Sequence, residues 1–360
     1  MGLENRLGRV WRWLGRTDLA ALLIALVLIA LVLASCFPQL TPAISDDPAR
    51  LDGWWAGVRS RYGTAADWLM AVGLLSFFSS PWLLLPTGLL LLLTLICLIQ
   101  RWPGLWRRTF GRQRPDANLV FDQAPYSARL SPPPGIAVAP LIRETMQRRG
   151  FYVRSMASSA GEIVVARRNR LTWLGTLANH LAVPLLLGGA LLTAFGGWQE
   201  EVIVPPAGAV TLRHASDLRL ADAQFAILRY PDGSVADYRA SFSLGSGNKM
   251  PERHSIRVNH PASYAQVSFY LRGYQETTQG IHVTLLASYD PGYGLAISAG
   301  VLLLFGSVLT IYFAPASIYA RATPDGTWQL AGHASRQAWE FEREFQALVS
   351  QLAERLTPSC

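Results

Sequence analysis

Four long apolar runs alternate with polar segments of ordinary composition, and that alternation predicts the elements of the chain. Leu19–Phe37, Trp82–Gln100, Leu171–Phe195 and Tyr293–Phe313 each hold about 19–25 residues, enough helix to cross a hydrocarbon core of roughly 30 Å. Ala65–Phe78 is apolar but short, and Ser79-Ser80-Pro81 separates it from the second run. It reads as an interfacial helix, with Trp54, Trp55, Trp68 and Trp82 at headgroup depth. After the second run, the Pro-rich stretch Ser131–Gly135 precedes a helix near Val138–Arg149 and strand-like runs at Phe151–Arg154 and Glu162–Ala166. Between the third and fourth runs, period-two alternation marks strands at Gln224–Arg229, Val235–Leu244, Gln266–Tyr274 and His282–Ser288. Turn residues Pro231-Asp232-Gly233 and Gly245-Ser246-Gly247 break them. An amphipathic helix is expected over Ala334–Leu356, after a Pro-Asp-Gly turn at 324–326. The fold class predicted is an integral membrane α-helical protein with four transmembrane helices and a β-rich extracytoplasmic domain, α+β overall.

Charge then orients the runs. Arg6, Arg9, Arg12 and Arg16 face one acid, Glu4, ahead of the first run, and the loop 101–170 holds 13 arginines against four acids. Both segments read as cytoplasmic. Residues 197–292 carry eight basic and nine acidic groups, a balance compatible with export. The expected order is a cytoplasmic N-terminus over 1–17, a first span over 18–37 and an extracytoplasmic loop with its interfacial helix over 38–81. A second span over 82–100, a cytoplasmic loop over 101–170 and a third span over 171–196 follow. The extracytoplasmic β-rich domain occupies 197–292, the fourth span 293–313 and a cytoplasmic tail 314–360. The location implied is the cytoplasmic (inner) membrane, with the lipid bilayer as one partner. A hydrophobic share of 51% against 16% charged residues agrees, and the net charge of +8 reads as positive-inside bias rather than a nucleic-acid footprint.

Cysteine usage excludes some chemistry. Cys36, Cys97 and Cys360 are scattered and form no CxxC, so the chain is neither a thiol–disulfide oxidoreductase nor a c-type haem carrier. Leu33-Ala34-Ser35-Cys36 reads like a lipobox, but the region before it is long for a signal peptide and three further spans follow. The cysteines are taken as packing residues. There is no GxxxxGK[ST] motif for a nucleotide.

His180 stands out because an ionisable group at bilayer depth is a functional site by default. Thr172, Thr176, Asn179 and His180 fall at i, i+4, i+7 and i+8, one helix face, and Pro184 lacks the N–H that would bond the carbonyl of His180. Two readings stay open: a polar staple hydrogen-bonded between helices, or a ligand to a bound group. Arg167, Arg168 and Arg170 line the side from which a carboxylate-bearing ligand would come; they also fit topology and lipid headgroups alone. Gly188-Gly189, Gly196-Gly197, Gly294, Gly300 and Gly306 permit close helix packing.

Local matches in a fixed order carry a resemblance. The first span closes with Phe37-Pro38-Gln39, the second ends in Cys97 followed by Arg101, and the third carries Gly175 and His180. The exported domain contains Ile256-Arg257-Val258-Asn259-His260-Pro261 with Tyr264, Phe269 and Tyr270 after it, and Tyr289-Asp290-Pro291-Gly292 leads into the last span. In this the chain resembles the ResB-like family of cytochrome c biogenesis proteins, System II partners of ResC or CcsA. It departs from the family pattern at Ala262 and Ala265, where Leu and Gly are frequent.

The resemblance implies a subunit of a cytochrome c synthase that handles or delivers haem and scaffolds covalent haem attachment to apocytochrome c outside the membrane. It implies haem as a transient cofactor, a ResC/CcsA-type membrane protein and apocytochrome c as partners, and no catalysis by this chain alone. His180 becomes the candidate axial ligand, since haem iron takes a histidine nitrogen, with Thr176 and Asn179 beside it and Arg167, Arg168 and Arg170 toward the propionates. With one membrane histidine, the second axial ligand would come from the partner, which would also carry the Trp-rich haem motif absent here. His260, with Asn259 and Pro261, is the exported candidate; His214, His254 and His282 read as solvated side chains. The alternatives are a structural scaffold with an exported binding domain and no haem ligand of its own, and a transporter half or sensor.

Overall fold

The computed structural model describes residues 13–45, 47–111, 117–133, 135–158, 161–247, 250–278, 280–335 and 338–357. Helix α1 (Thr17–Ser35) is an uninterrupted apolar run that ends just before Pro38. Short helices α2 (Pro42–Ser45), α3 (Pro48–Tyr62) and α4 (Ala65–Ala71) follow, then α5 (Pro81–Phe110). Next come α6 (Ala117–Asp122), β1 (Tyr126–Leu130), α7 (Val138–Arg148), β2 (Tyr152–Ser158), β3 (Gly161–Arg168) and α8 (Thr172–Gly196). Eight strands form the next segment: β4 (Trp198–Val204), β5 (Ala209–Thr211), β6 (Leu218–Arg229), β7 (Val235–Ser246), β8 (Glu252–Arg257), β9 (Ala262–Tyr264), β10 (Val267–Thr277) and β11 (Gly280–Tyr289). Helix α9 (Tyr293–Tyr312), β12 (Ala316–Ala322), β13 (Trp328–Ala334) and α10 (Ala338–Leu356) complete the order. Helices α1, α5, α8 and α9 are long and apolar enough to cross a membrane. The chain is an α+β membrane protein.

Two compact units form, 1–95 with 184–298 and 96–183 with 299–360. In the second, loop and tail are one domain rather than the separate segments the sequence suggested. A five-stranded antiparallel sheet runs in the order β1-β13-β12-β3-β2, so strands on both sides of 150 residues of chain share one ladder. Alternation assigns the faces: Val164, Ala166, Ile318, Ala320 and Leu330 meet α7 and α10 through Ile142, Met146, Phe345, Leu348 and Leu352. Ile163, Val165, Tyr319 and Ala331 turn the other way onto Phe121 of α6. Gly332 has no Cβ because Phe345 and Phe341 of α10 lie on it; a Cβ would come within 2.8 Å of the Phe345 ring. Arg168 clasps Glu344 of α10 through two bonds of 2.6 Å. The tail helix begins at Ala338, not Ala334, because Ala334 is the last residue of β13.

In the first unit, sheets β4-β11-β10-β9 and β5-β6-β7-β8 pack face to face around Leu220, Phe242, Leu244, Ile256, Phe269 and Leu285, all essentially buried. The stretch 38–80 differs from the single interfacial helix expected over Ala65–Phe78. Helix α4 stops at Ala71, and Gly73, at φ +81°, turns the chain back. The side chain of Gln39 holds that turn, donating to the carbonyls of Ala34 at 3.0 Å and Leu74 at 2.9 Å and accepting from the Phe77 N–H at 3.0 Å. Helix α3 was not foreseen at all; Asp47 caps it and Pro48 opens it.

Phe345 is fully buried between sheet and helix, so Phe345→Ala should destabilise the loop–tail domain by about 3–5 kcal/mol, the cost of a large-to-small change in a core. Limited trypsin digestion of the purified chain should then cut readily at Arg343 and Arg355. Equal resistance in variant and parent would contradict a shared core for loop and tail.

Candidate functional site

The polar positions of α8 separate onto two faces. Thr172 is buried and its hydroxyl donates to the carbonyl of Phe313, at the end of α9. Gly175 sits against the same helix: a Cβ there would meet the Cβ of Leu309 at 2.7 Å and the carbonyl of Gly306 at 2.8 Å. Asn179 lies against Gly306, its Oδ1 buried without a donor. Thr172, Gly175 and Asn179, at i, i+3 and i+7, are therefore the row that seats α9. Thr176 and His180, at i and i+4, lie about 40° and 80° round the helix from Thr172, on the flank of that seam.

His180 is half-buried, and among the described residues neither ring nitrogen has a hydrogen-bond partner. A staple needs a partner, and the described residues supply none. What it supplies is a cation: Arg101 of α5 lies within electrostatic reach of the imidazole. The helix continues through Pro184 to Gly196, leaving the carbonyl of His180 without its usual N–H donor. A free imidazole with a nearby guanidinium is a donor set suited to a planar metal chelate that carries carboxylates.

The three arginines expected on the entry side lie apart from His180. Arg168 is taken up by Glu344 and by the ring of Phe151, 4.7 Å away. Arg170 donates to the carbonyl of Thr109, and Arg167 extends from β3. Arg170 and His180 are ten residues apart on the chain, about 15 Å of helix rise. With Arg108 and Trp173 these arginines line a separate cavity of about 510 Å³. Sequence reading missed Arg108; its position at the last turn of the second span was the available signal.

In the β-sandwich, Asn259, His260 and Pro261 are exposed and form a turn. Arg257 and His260 exchange backbone bonds of 3.2 and 3.1 Å, and Asn259 takes φ +63°, which asparagine tolerates. Turn geometry accounts for that motif. His214 is held by Glu200, whose buried carboxylate also accepts the N–H groups of Arg213 and His214, and its ring stacks on Trp198 at 5.2 Å. His254 lies between the rings of Phe242 and Tyr264. Among the described residues, no cluster of three or more His, Cys, Asp or Glu side chains is arranged to hold a metal ion. Asp290 gives the Asp-Pro-Gly motif its role: its carboxylate accepts from Thr193 and from the N–H of Gly292 at 3.0 Å, drawing Gly292 onto the backbone of Gly189.

Comparison with known proteins bears on what this arrangement serves. A CcsB cytochrome c biogenesis protein of Synechococcus sp. (strain CC9311) is 26% identical over 273 residues, 73% of this chain and 59% of its own. That of strain WH7803 is 26% identical over 273 residues, 73% of this chain and 60% of its own. The Prochlorococcus marinus (strain MIT 9313) protein of the same name is 23% identical over 267 residues, with 73% and 60% covered. The chain thus spans about three fifths of the length of the curated relatives it matches. Among solved structures, a cytochrome c haem lyase CcmF aligns at a TM-score of 0.33 and 13% identity over 72% of this chain and 44% of its own, too slight a likeness to fix a shared architecture. The model of the ResB-like family matches residues 18–287, three quarters of the sequence, and the chain belongs to that family.

Proposed function

We propose that this chain is a membrane subunit of a cytochrome c synthase complex that receives haem at His180 and presents it for attachment to apocytochrome c. The observation that carries the reading is the half-buried imidazole of His180, unpartnered on the flank of the seam between α8 and α9. Haem is the cargo; it brings an iron that takes an imidazole nitrogen and two propionates that pair with guanidinium groups. His180 would hold the iron, Arg101 would take a propionate, and Thr176, on the same row, would border the ring. Family membership supports a role in cytochrome c biogenesis. A single membrane histidine leaves one axial position for a CcsA-type partner protein, so the complete site is shared.

The same reading sets the topology. The arginine excess in 101–170 and the charge balance in 197–292 support a cytoplasmic loop–tail domain and an extracytoplasmic β-sandwich. The sandwich then offers the surface for apocytochrome and for the partner's outer face. Its aromatic cluster, with half-buried Phe225 and exposed Tyr274 stacked at 4.3 Å and half-buried Tyr238 beside them, suits that contact.

His180→Ala should leave the protein inserted and folded while removing most of the haem that co-purifies with the assembled complex, read as the Soret band per mole of protein. An unchanged Soret band sinks the ligand assignment and leaves a haem-free scaffold as the function.

A periplasmic-type reporter such as alkaline phosphatase, inserted at Ser246, should be active. Activity there only from a cytoplasmic reporter would invert the topology.

Cytochrome maturation should require co-expression of the chain with a CcsA-type protein, and deletion of residues 200–288 should abolish it while α1, α5, α8 and α9 still insert. Full maturation by the isolated chain, or by the deleted form, would refute a shared synthase.

A further inference from the structure

Where α5 ends, α8 begins and the chain leaves α9, the second unit holds a cavity of about 510 Å³. Arg108, Arg167, Arg170, Trp173, Tyr319 and His333 line it, and among the described residues no Asp or Glu does. The fourth lining arginine, Arg168, is neutralised by Glu344, so three guanidinium groups face this space without an acidic partner among the described residues of the cavity wall. The packing is particular. Arg108 lies over the Trp173 ring at 5.0 Å, and Arg170 is fixed by the carbonyl of Thr109. Nη2 of Arg167 and Nε of Arg170 are buried with no hydrogen-bond partner among the described residues. An unsatisfied buried donor on a charged group costs more than the roughly 1–3 kcal/mol of a neutral one. An anion with several acceptor oxygens would relieve both.

We propose that this cavity binds the phosphate of an anionic phospholipid headgroup. Guanidinium groups match phosphate oxygens in fork geometry, and basic pockets at the ends of membrane helices lie at headgroup depth, where such phosphates are. The inference rests on α5, α8 and α9 being spans and stands apart from the haem reading. His180 is about 15 Å of helix away from Arg170, farther than a haem iron lies from its own propionates. The bound phosphate bridges β3 to the helix ends through Arg167 and Arg170, so it stabilises the loop–tail domain against the bilayer surface.

The test uses the full chain purified in neutral detergent, with added phosphatidylglycerol, phosphatidylcholine or inorganic phosphate, followed by native mass spectrometry and thermal unfolding. Phosphatidylglycerol should be retained and should raise the unfolding temperature, and phosphatidylcholine should do neither. Arg167→Gln with Arg170→Gln should weaken phosphatidylglycerol binding about tenfold or more, the loss of two charge-assisted hydrogen bonds. Arg143→Gln, at an exposed arginine of the same domain, should leave it unchanged. If the double variant does not fold, Arg108→Gln serves in its place with the same expected direction. Retention of phosphatidylglycerol by a folded variant, or equal binding of phosphatidylcholine, overturns the site. Stabilisation by inorganic phosphate without binding of phosphatidylglycerol overturns the lipid as occupant, and so does displacement of phosphatidylglycerol by haemin.

Discussion

The close approach of α8 and α9 is the constraint on which the rest depends. At each end the chain passes from these two helices directly into a pair of hydrogen-bonded strands: β3 with β12 at one end, β4 with β11 at the other. Paired strands lie about 4.8 Å apart, whereas packed helices ordinarily lie about 8–10 Å apart. The helix backbones must therefore converge before they reach the strands. Glycines allow it at both ends, Gly175 with Gly306 and Gly189 with Gly292. Polar caps then fix each junction. Thr172 and Asn169 bond the carbonyls of Phe313 and Ala314 at one, and Asp290 gathers Thr193 and Gly292 at the other.

That convergence decides which polar side chains of α8 remain free. A helix seated through a small-residue row commits everything on that row to its neighbour, so Thr172 and Asn179 belong to the fold. His180 is one residue on from Asn179, about 100° round the helix. It escapes the seam by that rotation alone. A single stripe of polar residues in the sequence thus becomes a structural row and an available row, and the division follows from where glycines occur rather than from which residues are polar.

The spans were legible because an unbroken run of about 19 or more apolar residues suits a bilayer crossing and little else, and the sandwich strands were legible because one face of each is buried and the alternation is clean. The loop–tail domain was legible only in pieces: a helix near Val138–Arg149, strands at Phe151–Arg154 and Glu162–Ala166 and a tail helix were marked, but not the sheet that joins them. Ala316–Ala322 and Trp328–Ala334 are short strands without strong β-branched content, and beyond the hairpin they form with each other their sheet partners lie about 150 and 200 residues away, a pairing that no local pattern encodes. Helix α3 was hidden by its polarity, and the turn at Gly73 by the apolar residues around it, since nothing in the sequence announces that Gln39 reaches across to hold Leu74 and Phe77. Within the site, His180 was legible as an anomaly of composition. Its distance from Arg170, about 15 Å of helix rise, was legible too; the pairing of Arg168 with Glu344, 176 positions away, was not, because no local pattern points to it.

The unsatisfied polar atoms of the second unit sharpen the same point. Asn179 Oδ1 is a cost accepted for helix contact: Gly306 leaves room for the amide but offers it no donor. Arg167 Nη2 and Arg170 Nε differ, because they border open volume that an acceptor can enter. His180 differs again, being half-buried with both nitrogens unbonded. Buried polar groups are nearly always paired, so an unpaired group beside empty space is a group whose partner comes from outside the chain. On the two proposals made above, the arginine cavity would take an oxyanion and His180 a metal chelate, so one unit would hold a planar cargo in the bilayer and keep its soluble domain at the membrane surface.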